Sequence, residues 1–162
     1  MEVRKILYIP HIRTETLMNE NVQIKICSTQ YADHEESIIE SSSFGKYHAF
    51  PDMHSILYEE NSLDENNKNT VISKNIMKIQ KDRLTIIKKG MINTEMVFQT
   101  GSIRTGLYQT PYGVFDMAIH TQNLHILSGT EQINISIDYA LELNGQHVSD
   151  YHMSIQINDS TS

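Results

Sequence analysis

The side chains best suited to chemistry are eight histidines, one cysteine and a glycine-bracketed stretch with a basic residue. His120 and His125 lie five apart, as do His147 and His152. On a strand an odd separation sends two side chains to opposite faces, so neither pair can chelate one ion without a bulge. His48 and His54 flank Pro51-Asp52 and are placed to meet across a hairpin. Neither an HExxH helix motif nor an EF-hand acidic pattern occurs, so surface or hydrogen-bonded histidines are expected and no metal or other cofactor. Cys27 alternates away from Val22, Ile24 and Ile26, which makes it a small, partly exposed thiol. With no second cysteine there is no internal disulfide and no resolving partner for a redox couple. There is no GxSxG elbow either. Gly101-Ser102-Ile103-Arg104-Thr105-Gly106 has a phosphate-loop outline, but Leu107-Tyr108 stands where a P-loop needs Lys-Ser/Thr, and no helical pattern follows. Strand bends account for both glycines. Arg104 and Tyr108 share one strand face and would hold an anionic head group if that face were internal. The opposite face, with Ile103 and Leu107, has the more core-like composition.

The elements that must carry these residues are strands. Val22, Ile24 and Ile26 alternate with Gln23, Lys25 and Cys27. Strands are expected over 37–50 and 53–60 around the Pro51-Asp52 turn, over 71–79 and 84–88 around Lys81-Asp82, and over 94–100 and 103–109 around Gly101. The stretch 61–69 (NSLDENNKN) has too few apolar anchors to offset its ordering entropy and is expected as a loop or hairpin tip. Pro111-Tyr112-Gly113 reverses the chain. Ile133, Ile135, Ile137, Tyr139, Leu141 and Leu143 then occupy six successive same-face positions. Asn144-Gly145 is a type I′ hairpin signal, and Tyr151, Met153, Ile155 and Ile157 line one face of the return strand. A helix would scatter these residues around its circumference, whereas a sheet gathers them.

The chain has 162 residues, a formal charge of −7 and 39% apolar residues. That acidity argues against a duplex nucleic-acid binder and against a basic membrane anchor. No apolar run approaches the roughly 20 residues of a spanning helix. The composition holds 22 Ile against 10 Leu and 4 Ala, a bias toward residues branched at Cβ that suits pleated strands. Residues 1–20 break the pattern: Arg4-Lys5 precedes a four-residue apolar run that Pro10 ends, which is too short for a secretory signal. This stretch is expected to be a loosely docked arm or an extension upstream of a start at Met18, followed by one β-domain over 21–158 and a tail over 159–162. A cytoplasmic location is expected from the missing export signal and the unpaired cysteine.

Phe98-Gln99-Thr100-Gly101, Tyr108, Thr110-Pro111-Tyr112-Gly113 and the alternating strand to Thr121 resemble the YwiB-like proteins, as do Ile135-Ser136-Ile137-Asp138-Tyr139 and Met153-Ser154-Ile155. These are small uncharacterised proteins of Gram-positive bacteria. The resemblance covers roughly residues 20–158 and implies a calycin-type, lipocalin-like fold: a single antiparallel up-and-down barrel of about eight strands with short hairpins. It brings no catalytic residue with it.

A barrel of that size is either filled by its own side chains or holds one small ligand. The expected inward residues Phe98, Phe115, Met117, Ile119, Ile135, Ile137, Tyr139, Met153 and Ile155 are mostly large, which favours filling; Met and Tyr among them give an adaptable surface with a polar handle. The functional expectation is a non-enzymatic barrel taking a small apolar or amphipathic ligand in or at its mouth, with Phe98, Arg104, Tyr108, Phe115, Met117, Tyr139 and Met153 as candidate contacts. A filled barrel serving protein interaction is the alternative. No nucleic-acid or membrane partner is expected, and no pattern encodes an oligomeric state.

Overall fold

The computed structural model describes residues 20–63 and 70–160, and all of its regular structure is strand. Among the described residues ten strands form in chain order: β1 Asn21–Ala32, β2 Glu35–Phe50, β3 Met53–Leu63, β4 Thr70–Ile79, β5 Leu84–Lys89, β6 Asn93–Phe98, β7 Ile103–Thr110, β8 Gly113–Ser128, β9 Gln132–Leu143 and β10 Gln146–Asp159. Each pairs antiparallel with its sequence neighbours, and β1 pairs with β10 to close the ring. The fold is therefore the expected up-and-down barrel, with ten strands where the resemblance implied about eight. The arm over residues 1–19, the tip 64–69 and the last two residues lie outside the described residues. Asn61–Leu63, expected within a loop, are strand: Leu63 pairs with Thr70, so the β3–β4 ladder runs up to the tip.

Alternation builds the core. Ile133, Ile135, Ile137, Tyr139 and Leu141 of β9 are buried, and β10 answers with Met153, Ile155 and Ile157. Val22 and Ile24, Ile56, Met77 and Ile79, Leu84 and Ile86, Phe98 and Ile119 complete the interior from the other strands. Burying such a side chain contributes roughly 1.5–3 kcal/mol, so this inward set is the main source of stability. The Asn144-Gly145 turn has φ of 53° and 78°, as its hairpin geometry requires.

The β1–β2 turn is Asp33-His34, with φ of 51° and 64°. Its tight reversal had no glycine to announce it, since Asp and His enter the left-handed region without one. The strands it joins run on as a ribbon: among the described residues Glu35 to Phe44 of β2 pair with β1 alone, because the β2–β3 ladder begins only at Gly45↔Tyr58. Gly45 marks the fork where β2 parts from β3. A Cβ there would stand 2.8 Å from the Leu57 carbonyl oxygen and 3.0 Å from Ile24 and Ile56 side-chain atoms. Backbone cannot retreat as a flexible side chain can, so Gly45→Ala is expected to destabilise the protein by about 1–3 kcal/mol, as overpacking does. A urea midpoint equal to that of the parent protein would contradict it.

Candidate functional site

On β7 the alternation resolves the Arg104 question. Ile103 and Leu107 are 61% and 50% exposed, while Arg104, Gly106 and Tyr108 turn inward. The expectation that Ile103 and Leu107 form the core side is thus reversed. Register explains it, because Tyr108 pairs with Phe115 and Gly106 with Met117 on the inward face of β8. Arg104 does not point toward the tyrosines' end: its Nη2 donates to Gln99 Oε1 at 2.8 Å, and Gln99 Nε2 donates to Asp82 Oδ2 at 3.2 Å. That chain ties the β6–β7 and β4–β5 turns together at the floor of the barrel.

The candidate contacts consequently split into two groups. Phe98 is fully buried and meets Tyr139 edge-on, ring centroids 4.8 Å apart. It plugs the lumen beneath the others. Tyr108, Phe115, Met117, Tyr139 and Met153 are brought together above it by β7, β8, β9 and β10, with Phe115 and Tyr108 only half-buried. Tyr151, on the same face of β10 as Met153, belongs with them and was not among the expected contacts. It stacks on Tyr139 at 4.9 Å with 12° between the rings. The identical parity of positions 151 and 153 was the signal that could have found it.

Three phenols therefore converge from three strands. Burial raises the pKa of Tyr139, and its neighbours Tyr151 and then Tyr108 push it further in the same direction. Tyr108 is raised by burial and by Tyr151, which it approaches across the lumen from a non-adjacent strand. No described residue hydrogen-bonds any of these hydroxyls, yet none is among the sealed polar atoms without a partner, which are Arg83 Nε, Ser102 Oγ and Thr121 Oγ1. The phenol oxygens thus keep contact with the solvent of the mouth. Around them Ile26, Met96 and Leu143 are inward apolar residues left partly uncovered.

The arc facing β9 across the ring is polar. Ser73 Oγ donates to Asn75 Oδ1 at 2.7 Å, Asn75 Nδ2 donates to Glu60 Oε1 at 2.8 Å, and Lys88 Nζ lies 3.5 Å from the same oxygen. Buried Asn75 is thereby satisfied, as a buried amide must be. Tyr58, the cross-strand partner of Asn75, is raised in pKa by burial first and by Glu60 second.

Of the described histidines, His48, His120, His125, His147 and His152 lie on the outer face, whereas His54 shares the inward parity of Ile56 and Tyr58. The ladder shifts register between Thr121 and Asn123 and again between His147 and Ser149. These two bulges supply the parity change that the five-residue spacings lacked, so His120 and His125 share the outer face, as do His147 and His152. Each of three meets a carboxylate: His120 with Glu142 at 2.7 Å, His152 with Asp138 at 2.7 Å, and His147 with Asp150 at 3.1 Å. Among the described residues no group of three or more His, Cys, Asp or Glu side chains is placed to hold a metal. His48 and His54 do not meet, since the register pairs His48 with Ser55 and Ala49 with His54. His54 instead shares a 2.6 Å hydrogen bond with Tyr47 Oη and stacks on that ring. Cys27 is half-buried on the outer face, and Gly101, with φ of 77°, turns the chain between β6 and β7.

Comparison with known proteins bears on the same span. A family model described as a domain of unknown function, DUF1934, matches residues 24–155. No curated protein matches. Among solved structures, the crystal structure of the ywiB protein from Bacillus subtilis aligns with a TM-score of 0.72 at 17% identity, covering 89% of this chain and 96% of that one. The likeness is one of fold, and it agrees with the resemblance carried by the Phe98–Thr121, Ile135–Tyr139 and Met153–Ile155 segments.

Proposed function

The chain belongs to the DUF1934 family, and on that premise we propose that it is a non-enzymatic barrel binding a small, largely apolar ligand at its upper mouth. The observation that supports this reading is the convergence of Tyr108, Tyr139 and Tyr151, whose hydroxyls have no partner among the described residues and stand within partly uncovered apolar walls. Buried phenols usually find a hydrogen-bond partner; three that do not, in an open mouth, suit a ligand with an apolar body and one polar end. Phe98 and the isoleucines beneath fill the lower lumen, so a ligand enters no deeper than the tyrosines. Met117 and Met153 supply walls that adapt to shape.

The chain has no Trp, so its intrinsic emission reports tyrosine. Titration with decanol is expected to change that emission saturably. In the Tyr108→Phe/Tyr139→Phe double variant, affinity is expected to fall about tenfold, since each lost hydrogen bond contributes about 0.5–1.5 kcal/mol. A linear, unsaturable response in the parent protein, or equal affinity in the double variant, refutes the mouth as the site.

A further inference from the structure

On the outer wall of the barrel, where β2, β1, β10, β9 and β8 lie side by side, there is a groove of about 700 Å³ lined among others by Cys27, Ser154, Ser136 and Leu127. One cross-strand row runs through it, Glu40–Cys27–Ser154–Ser136–His125, each residue the direct partner of the next. We propose that Ser154, at the centre of that row, is a nucleophile that takes up one acyl group from an activated ester or thioester seated in the groove. His152 acts as its general base and Asp138 as a positioning residue. The site is independent of the tyrosine mouth, and the reaction stops at one acyl group per chain.

Three observations lead there. The first is the direction of the His152 ring. Its Nδ1–H donates to Asp138 Oδ1 at 2.7 Å, which fixes the tautomer and leaves Nε2 as an acceptor. Ser154 Oγ stands 3.5 Å from that Nε2, at the long end of hydrogen-bond reach, where a nucleophile and its base often rest before substrate draws them together. Carboxylate, imidazole and hydroxyl thus follow in the order of a Ser-His-Asp triad. His120 and His147 turn Nε2 itself to Glu142 and Asp150, so neither ring is set up this way. The second is register. His152 and Ser154 stand two apart on β10 and share its outer face, and Asp138 on β9 is the direct partner of His152. Both strands are paired on each side, and such rigid elements hold a site more precisely than loops do.

The third is access. Ser154 is exposed and lines the groove, with His152 and Asp138 beside it. Lys25 and Glu40 bring opposite charges to the same groove, which suits a donor that is uncharged near its carbonyl. The ladders also limit the chemistry. Backbone N–H groups around Ser154 are used in pairing with β1 and β9, so among the described residues none is left there for an oxyanion. One such donor is worth about 10²–10³ in rate, which restricts Ser154 to acyl groups that already carry a good leaving group. In the step, Ser154 Oγ bonds to the acyl carbon and its proton passes to His152 Nε2. The C–O or C–S bond of the donor breaks, and the leaving alkoxide or thiolate takes that proton. Hydrolysis of the acyl-serine faces the same missing donors with a poorer leaving group, the Ser154 alkoxide, so the acyl group stays.

The test uses the full chain, p-nitrophenyl butyrate and a fluorophosphonate probe. A burst of nitrophenolate equal to the protein is expected, with the butyryl mass mapping to Ser154, and the fluorophosphonate is expected to label the same residue. Ser154→Ala is expected to abolish both with an unchanged circular dichroism spectrum. His152→Gln is expected to slow labelling about 100-fold, the low end for loss of a general base. Asp138→Asn is expected to slow it as well, and Asp138→Glu to recover most of the rate. Cys27→Ala is expected to leave it unchanged. No label on Ser154 overturns the proposal, as does an unchanged rate in His152→Gln, or a rate in Asp138→Asn equal to that in Asp138→Glu. Butyryl found on Cys27, recognised by its release in neutral hydroxylamine, overturns it by naming the thiol as the nucleophile. Nitrophenolate release that continues at Ser154 past the burst overturns the single-acyl end point.

Discussion

Replacing Phe98 with alanine is expected to destabilise the protein by about 3–5 kcal/mol, the range for emptying a buried aromatic site. The expectation rests on where β6 ends. The β6–β7 ladder contains the pairs Asn93↔Gln109 and Thr94↔Tyr108 and then stops, so below Thr94 these two strands are joined by side chains rather than by backbone bonds. Phe98, fully buried, sits in that gap, pairs with Leu84 of β5 and supports Tyr139 edge-on. Removing the ring leaves a void that neighbouring strands, held by their own ladders, can fill only in part. The Arg104–Gln99–Asp82 chain lies at the same end and would lose its backing. Urea denaturation measures the effect directly. A cost below about 1 kcal/mol would show that the site collapses freely, a sign of a loosely packed floor. If the floor is loose, a ligand could pass below the tyrosines.

The contrast between Phe98 and Tyr108 shows how far the sequence carries. Both were candidate contacts, but alternation identified the inward face only for Phe98; on β7 it favoured the face opposite Tyr108. It could not say that Phe98 is a plug and Tyr108 a wall of the mouth, because depth along a barrel depends on the stagger of all ten strands. On β9 the pattern was unambiguous: every large apolar residue is inward, and the residues between them, Ala140 apart, are polar. On β7 it misled, since the outer face of a strand also selects β-branched and aliphatic residues for their fit to a pleat, and Ile103 and Leu107 are such residues. The two bulges left no mark at all, so the histidine pairs were assigned to opposite faces by a rule that one extra residue in each strand sets aside. The fork between β2 and β3 was equally hidden, because it exists only where β2 outruns β3.

Between about pH 10 and 12 the protein is expected to lose stability steeply, and two tyrosines are expected to account for much of the loss. An unfolded phenol titrates near 10. Tyr58 and Tyr139 are held above that value in the folded state, each by burial first, with Glu60 adding for Tyr58 and Tyr151 then Tyr108 for Tyr139. Below pH 10 both states hold these protons and stability does not depend on them. Above it the unfolded chain releases them while the folded chain keeps them, so unfolding becomes easier as pH rises. Each such proton lowers stability by up to about 1.4 kcal/mol per pH unit, hence about 3 kcal/mol per unit for the pair. Urea midpoints measured across this range should be flat up to about pH 9 and fall beyond it, and Tyr58→Phe or Tyr139→Phe should each make the fall shallower. Phenolate absorbance supplies the independent check. In folded protein the exposed tyrosines should ionise first, and the signal from Tyr58 and Tyr139 should appear together with loss of the strand signal in circular dichroism. If their ionisation instead preceded unfolding, burial would not be what holds these two phenols protonated, and the assignment of the alkaline loss to them would fall.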